Sequence, residues 1–247
     1  MDRLIHTSLS AMRANMARQA VTANNIANAS TTGFRAEISS ARPLWIKGPG
    51  LPDRAVASEE VQSADMRAAA FVSTGRPLDI AINGNAMLAV QGENGDEGYT
   101  RRGDLMVSAL GLLTTGDGHP VLGEGGPVTV PPADQLRVDG DCTLWVVPPG
   151  GDPNAPQKID RLKLASPTGS IIAKHIDGLF RVKDGGALPA DPTATVNAGS
   201  LEGSNVNPTT ALVDMIEAAR SWDTQIKLLT TARDLDTETA SLMRLPS

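Results

Sequence analysis

Three histidines and one cysteine are the side chains of this 247-residue chain best suited to hold a metal ion or activate a nucleophile. A zinc site gathers imidazoles and thiolates, usually in pairs a few residues apart. His6, His119 and His175 are far from one another, and none has that spacing to another histidine or to Cys142. Cys142 stands between Asp141 and Thr143 with no histidine or lysine beside it to lower its thiol pKa. It reads as a small, half-buried apolar residue, and a lone cysteine closes no disulfide within the chain.

Other chemistry is equally poorly served. Gly123-Glu124-Gly125-Gly126 lacks the Lys-Ser/Thr that completes a phosphate-binding loop, so it reads as a hairpin turn. No Gly-x-Ser-x-Gly elbow occurs. Glu59-Glu60 could share acid–base work in principle, but a solvated surface pair is the simpler reading. No catalytic residue, cofactor or metal is expected.

The basic residues are scattered, 22 against 28 acidic ones, for a formal charge of -6. Nucleic-acid binding needs Lys and Arg gathered on one face, so that class is excluded. No run approaches the ~18 apolar residues of a membrane span. Arg13 and Arg18 interrupt what would be the apolar core of a cleaved secretory signal. Taken alone, these facts describe a cytoplasmic protein.

The elements that must position any functional residue lie at the two ends. Ile5, Leu9, Met12, Met16, Ala23 and Ile26 recur at helical spacing, with Gln19 in the intervening slot, and predict a helix over about 2–32 that stops at Gly33. Asn207-Pro208 is an N-cap followed by a proline at the first helical position. Leu212, Met215, Ala219, Trp222, Ile226 and Leu229 then mark a second stripe, which shifts phase beyond residue 229. Between the helices, Asp-Gly pairs at 117, 139, 177 and 184 alternate with β-prone runs such as Leu78–Val90, Pro127–Val130, Leu144–Val147 and Leu179–Val182. Pro148 to Pro153 is a loop. With aromatics at 3%, aliphatic side chains and methionine must fill the core.

The expected fold class is α+β, with long N- and C-terminal helices forming a coiled-coil-like axial domain and a central, mainly-β domain. The expected boundaries are an N-terminal helix over 1–34, an extended or irregular connector over 35–77, a β domain over 78–190, an extended connector over 191–206 and a C-terminal helix over 207–247. A lone amphipathic helix is marginal in water, so each stripe needs a partner. The helices either pair within one chain or become ordered as many subunits stack. Asn24, Asn25 and Asn28 favour stacking, because buried asparagine fixes helix register. The residues expected to carry assembly are therefore Ile5, Leu9, Met12, Met16, Asn24, Asn25, Ile26 and Asn28, with Leu212, Met215, Trp222, Ile226 and Leu229.

The run Ala23-Asn24-Asn25-Ile26-Ala27-Asn28-Ala29-Ser30-Thr31-Thr32-Gly33-Phe34-Arg35-Ala36 resembles the N-terminal signature of the flagellar rod and hook proteins. Leu78 to Gly84, Tyr99-Thr100-Arg101-Arg102-Gly103-Asp104, Pro120 to Pro127 and Gly199 to Pro208 are similar to later blocks of that family, in family order. Arg42 to Asp53, Gly178-Leu179-Phe180-Arg181 and the ending Leu242 to Leu245 are nearer to the proximal-rod members than to the distal-rod members, which stay as the alternative. Asn85 to Leu88 stands where the family commonly has an aromatic pair, and Trp222-Asp223 stands where an aromatic-Glu pair is usual.

The resemblance implies a structural, non-enzymatic subunit of the basal-body rod, assembling through its terminal helices into a helical hetero-oligomer that transmits torque. It implies like and unlike rod subunits as partners, transit through the flagellar export apparatus without a cleaved signal, and a periplasmic location in place of the cytoplasmic one. A monomeric β-rich binding module is the remaining alternative.

Overall fold

The computed structural model describes residues 2–45, 55–183 and 185–242, with side chains placed for 7–39, 63–183 and 185–241. The fold is α+β: helices α1 (Asp2–Ala27) and α2 (Pro208–Leu242) flank a long β-rich stretch. The chain divides into two units, one of residues 1–27, 37–62 and 207–247, the other of residues 28–36 and 63–206.

The helical unit holds α1, α2 and a two-stranded ribbon of β1 (Glu37–Trp45) and β2 (Ala55–Ala64). Asn207 caps α2 as expected: its Oδ1 accepts from the backbone N–H of Thr209 at 3.0 Å and of Thr210 at 3.2 Å. α1 ends at Ala27, short of the expected Thr32. The polar run after it competes for the backbone. The Asn28 carbonyl accepts from Thr31 N–H at 3.1 Å, and the Thr31 hydroxyl bonds Asn28 Oδ1 at 3.2 Å. The ribbon lies in the stretch expected to be an extended or irregular connector. A two-stranded ribbon has open edges, which is where a proline such as Pro43 is tolerated. Residues 46–54 of the proline-broken segment, Asp184 and the ending after Leu242 lie outside the described residues, as do the side chains of His6, Glu59 and Glu60.

The second unit carries β3 (Phe71–Ser73), β4 (Ile80–Ile82), β5 (Met87–Gln91), β6 (Glu97–Thr100), β7 (Leu105–Val107), β8 (Leu113–Thr115), β9 (Leu122–Gly123) and β10 (Gly126–Pro127). It continues with β11 (Gln135–Val138), β12 (Thr143–Val147), β13 (Gln157–Arg161), β14 (Leu164–Ala165), β15 (Ile172–Lys174), β16 (Phe180–Val182), β17 (Val196–Ala198) and β18 (Ser200–Glu202). Its largest sheet runs β14-β5-β6-β16-β15, beside a three-stranded β11-β12-β13 sheet and small ribbons, among them β17-β4 and β18-β3. The strands thus extend past both expected ends of the β region.

β5 explains the continuous apolar run Met87-Leu88-Ala89-Val90. Side chains alternate across a strand, and both faces here are covered. Leu88 and Val90 join an aliphatic core with Ile80, Ile82, Leu105, Leu113 and Leu144. Met87 and Ala89 join a second one with Tyr99, Phe180 and Leu188.

The Asp-Gly turns are present at 117 and 177, where Gly118 and Gly178 take positive φ. At Asp139-Gly140 the left-handed residue is instead Cys142, at φ 69°. Its thiol is buried 3.7 Å from the Ala194 carbonyl, and burial pushes it up to about 11. Cys142 is an inert packing residue at a strained turn, fully rather than half buried.

Candidate assembly interface

Within the helical unit, Asn15 Nδ2 of α1 donates to Ser221 Oγ of α2 at 3.0 Å. Among the described side chains of α1 the buried ones are small or β-branched: Ser10, Ala14, Val21 and Thr22. On α2 the covered or half-covered positions among the described side chains are Ala211, Met215, Ala218, Ser221, Trp222, Gln225, Leu229 and Ala232, again one helical face. A polar groove of about 530 Å³ is lined by Asn15, Arg18, Val21 and Thr22 on α1 and by Asp214 and Glu217 on α2.

The large apolar side chains lie largely elsewhere. Leu9 is 43% and Met16 56% exposed, while Leu212, Val213, Ile216 and Ile226 range from 40% to 54%. Leu228 and Leu235 continue the exposure along α2. Met12 and Ile26 are half-buried, as are Met215, Trp222 and Leu229, and Asn24 is exposed. The Ile5 side chain lies outside the described residues. The expected seam is therefore divided. Its 215, 222 and 229 positions fall on the covered face of α2, whereas its 212 and 226 positions, and Leu9 and Met16 of the α1 seam, are exposed.

The asparagines also separate. Asn25 is half-buried, its Nδ2 donating to the Glu37 carbonyl at 2.9 Å and its Oδ1 accepting from Glu37 N–H at 2.8 Å. That reciprocal pair fixes the start of β1 on α1. Asn28 belongs to the turn after the helix. The remaining candidates for chemistry stay dispersed: His175 is exposed and His119 half-buried, and among the described residues no cluster of His, Cys, Asp and Glu could hold a metal ion.

One constellation was not anticipated from the sequence. In the second unit Arg35, Arg101 and Glu202 meet with at most 2% exposure. Glu202 Oε1 accepts from Arg35 Nη2 at 2.7 Å and from Ala69 N–H at 2.9 Å. Its Oε2 accepts from Arg101 Nε at 2.7 Å. Arg101 also donates to the carbonyls of Ile82, Gly84 and Ala86. Burial, opposed by the nearby Glu202 charge, lowers the Arg101 pKa.

Three residues away, Asn205 Oδ1 accepts from Ala36 N–H at 2.7 Å, and its Nδ2 donates to the Asp65 and Arg67 carbonyls. Gly33 N–H donates to the Glu202 carbonyl at 2.8 Å. A Cβ on Gly33 would stand 2.5 Å from the Arg101 backbone, so this glycine serves close approach rather than stopping α1. The segments after α1 and before α2 are thus stitched to one buried charge cluster. The signal available in the sequence was one charged residue in each of three separate motif blocks.

Comparison with known proteins places these blocks. Residues 5–35 match the family described as flagella basal body rod protein. Residues 81–146 match the flagellar hook protein FlgE/F/G D1 domain, and residues 197–242 the C-terminal domain of the flagellar basal body rod FlgEFG proteins. The chain is 41% identical to the flagellar basal-body rod protein FlgF of Salmonella typhimurium, over 93% of this chain and 94% of that protein. It is likewise 41% identical to FlgF of Escherichia coli, over 95% of each chain. Against the rod protein FlgG of Bacillus subtilis identity falls to 28%, over 99% of this chain. That order agrees with the motif blocks, which favoured the FlgF branch over the FlgG branch. The chain belongs to the flagellar basal-body rod protein family and is a structural subunit of the rod.

Proposed function

We propose that this subunit assembles through α1 and α2 together, using the apolar side chains that a single chain leaves uncovered. The small and polar face, marked by Asn15 and Ser221, pairs the two helices within one chain. Leu9 and Met16 on α1, and Leu212, Ile216 and Ile226 on α2, then pack against like and unlike rod subunits in a coiled-coil-like wall. Ile5 and Met12 extend the α1 contact, and Ile26, Asn24 and Asn28 its far end. Met215, Trp222 and Leu229 stiffen the pair from within, and Asn25 acts through β1.

The observation that carries the reading is the exposure of these large apolar residues on both helices. Each contributes roughly 1.5–3 kcal/mol when fully buried, and repetition along a filament multiplies a modest contact. Torque then passes through many small contacts, with no catalytic step. The proximal part of the rod is the position that the resemblance of the motif blocks implies. The route is the flagellar export apparatus, without a cleaved signal, to the periplasmic rod.

The test is Met16→Glu and Leu212→Glu, singly, in a strain lacking the native subunit. Each should abolish motility and remove rods from isolated basal bodies while the purified chain keeps its far-ultraviolet spectrum. Normal rods in both variants would remove these flanks from the interface.

A further inference from the structure

Arg35 is the least satisfied of the three buried charges. Arg101 bonds Glu202 and three carbonyls, and Glu202 accepts from both arginines and from Ala69 N–H. Arg35 has one hydrogen bond, from Nη2 to Glu202, while its Nε and Nη1 are buried and meet no protein acceptor. Two guanidinium groups thus share one carboxylate. The Arg67 hydrogen bonds, above all, hold the Asp65 carboxyl below the usual range, with the Arg35 charge a smaller influence, and both Asp65 oxygens are bonded to Arg67.

A buried ion with unmade hydrogen bonds is costly, and a half-satisfied polar network is worse than an apolar replacement. The segment that bears Arg35 is otherwise held by a few bonds to residues far along the chain. Gly33 N–H bonds the Glu202 carbonyl, Ala36 N–H bonds Asn205 Oδ1, the Phe34 carbonyl accepts from Asn205 N–H, and the Ala36 carbonyl accepts from Asp65 N–H. None of these is part of a sheet ladder.

We propose that residues 28–36 form a releasable strap, closed by its bonds to Asn205 and to the Glu202 carbonyl and biased towards opening by the under-bonded Arg35 guanidinium, which shares the Glu202 carboxylate with Arg101. The strap opens as a unit while the aliphatic core stays closed, and Arg101–Glu202 stays in place as the fixed half of the clasp. Its use rests on the assembly reading: a subunit with unlike neighbours needs the segment after α1 to follow more than one course. The opening itself is a property of the free chain, so its failure would leave the assembly reading standing.

Amide hydrogen exchange on the full chain, corrected for intrinsic rates, tests this. In the native protein Gly33 and Ala36 should exchange at least roughly tenfold faster than Leu113, Val121 and Val128, whose N–H groups bond within the core. Arg35→Met keeps the bulk and removes the unmet donors, so it should slow exchange at Gly33 and Ala36 by about threefold or more. Asn205→Ala should speed it, with the core amides unchanged. Equal protection of strap and core in the native protein would overturn the proposal. So would faster strap exchange or loss of folding in Arg35→Met, or acceleration of the core along with the strap in Asn205→Ala.

Discussion

Arg101 Nε and Nη2 lie 2.7 and 2.6 Å from the same Glu202 oxygen, and neither side chain is more than 1% exposed. The two residues are 101 positions apart, so the pair closes only when the segment preceding α2 has reached the β unit. Breaking a buried pair from one side leaves the remaining groups uncompensated.

Arg101→Met should therefore lower unfolding stability by about 3–5 kcal/mol, because three carbonyls lose a donor along with Glu202. Arg102→Met is the control. Its pairs with Asp104 and Asp117 are partly exposed, and such pairs contribute about 0–1 kcal/mol. Urea denaturation of the two variants checks the difference, and equal losses would contradict the buried clasp.

Tyr99, the single tyrosine, is fully buried, and its hydroxyl accepts from Leu188 N–H at 2.6 Å and donates to Glu97 at 2.9 Å. Burial pushes its phenol up to about 12, against an ordinary value near 10. The folded state thus favours the neutral phenol. That stabilisation is complete below about pH 10 and disappears as pH rises from there through about 12. Absorbance at 295 nm should show no phenolate near pH 10 while the fold persists. Reversible ionisation near pH 10 in the folded protein would be the contrary result.

Cys142, with its thiol raised to about 11, has almost no thiolate at pH 8 and is buried. A thiol reagent such as Ellman's should leave the native protein unmodified for hours and react within seconds in denaturant. Rapid labelling of the native chain would place the thiol at the surface.

The two helices, their order around the β-rich stretch and the Asn207-Pro208 start were legible because caps and apolar periodicity are local. The end of α1 was not, since Asn28 and Thr31 take the backbone by side-chain bonds that apolar spacing does not register. On α2 the stripe through Met215, Trp222 and Leu229 was readable, but its other edge was assigned from Leu212, Ala219 and Ile226. The structure covers Ala211, Ala218 and Gln225 instead. Small and polar residues carry little hydrophobic signal, so the side of the stripe that turns inward could not be read. The Arg35–Arg101–Glu202 cluster was beyond reach for a different reason. Each residue sits in a polar or glycine-containing motif that suggests exposure, and only the tertiary fold brings them together.

The central claim is that the exposed flanks of α1 and α2 contact other subunits. A photo-crosslinking amino acid placed singly at Leu9, Met16, Leu212 or Ile226, and at Ile176 in the β unit for comparison, tests it directly in isolated basal bodies. The account predicts adducts between chains from the four helical positions. Absence of interchain adducts at all four, with strong ones from Ile176, would contradict it and move assembly to the β unit.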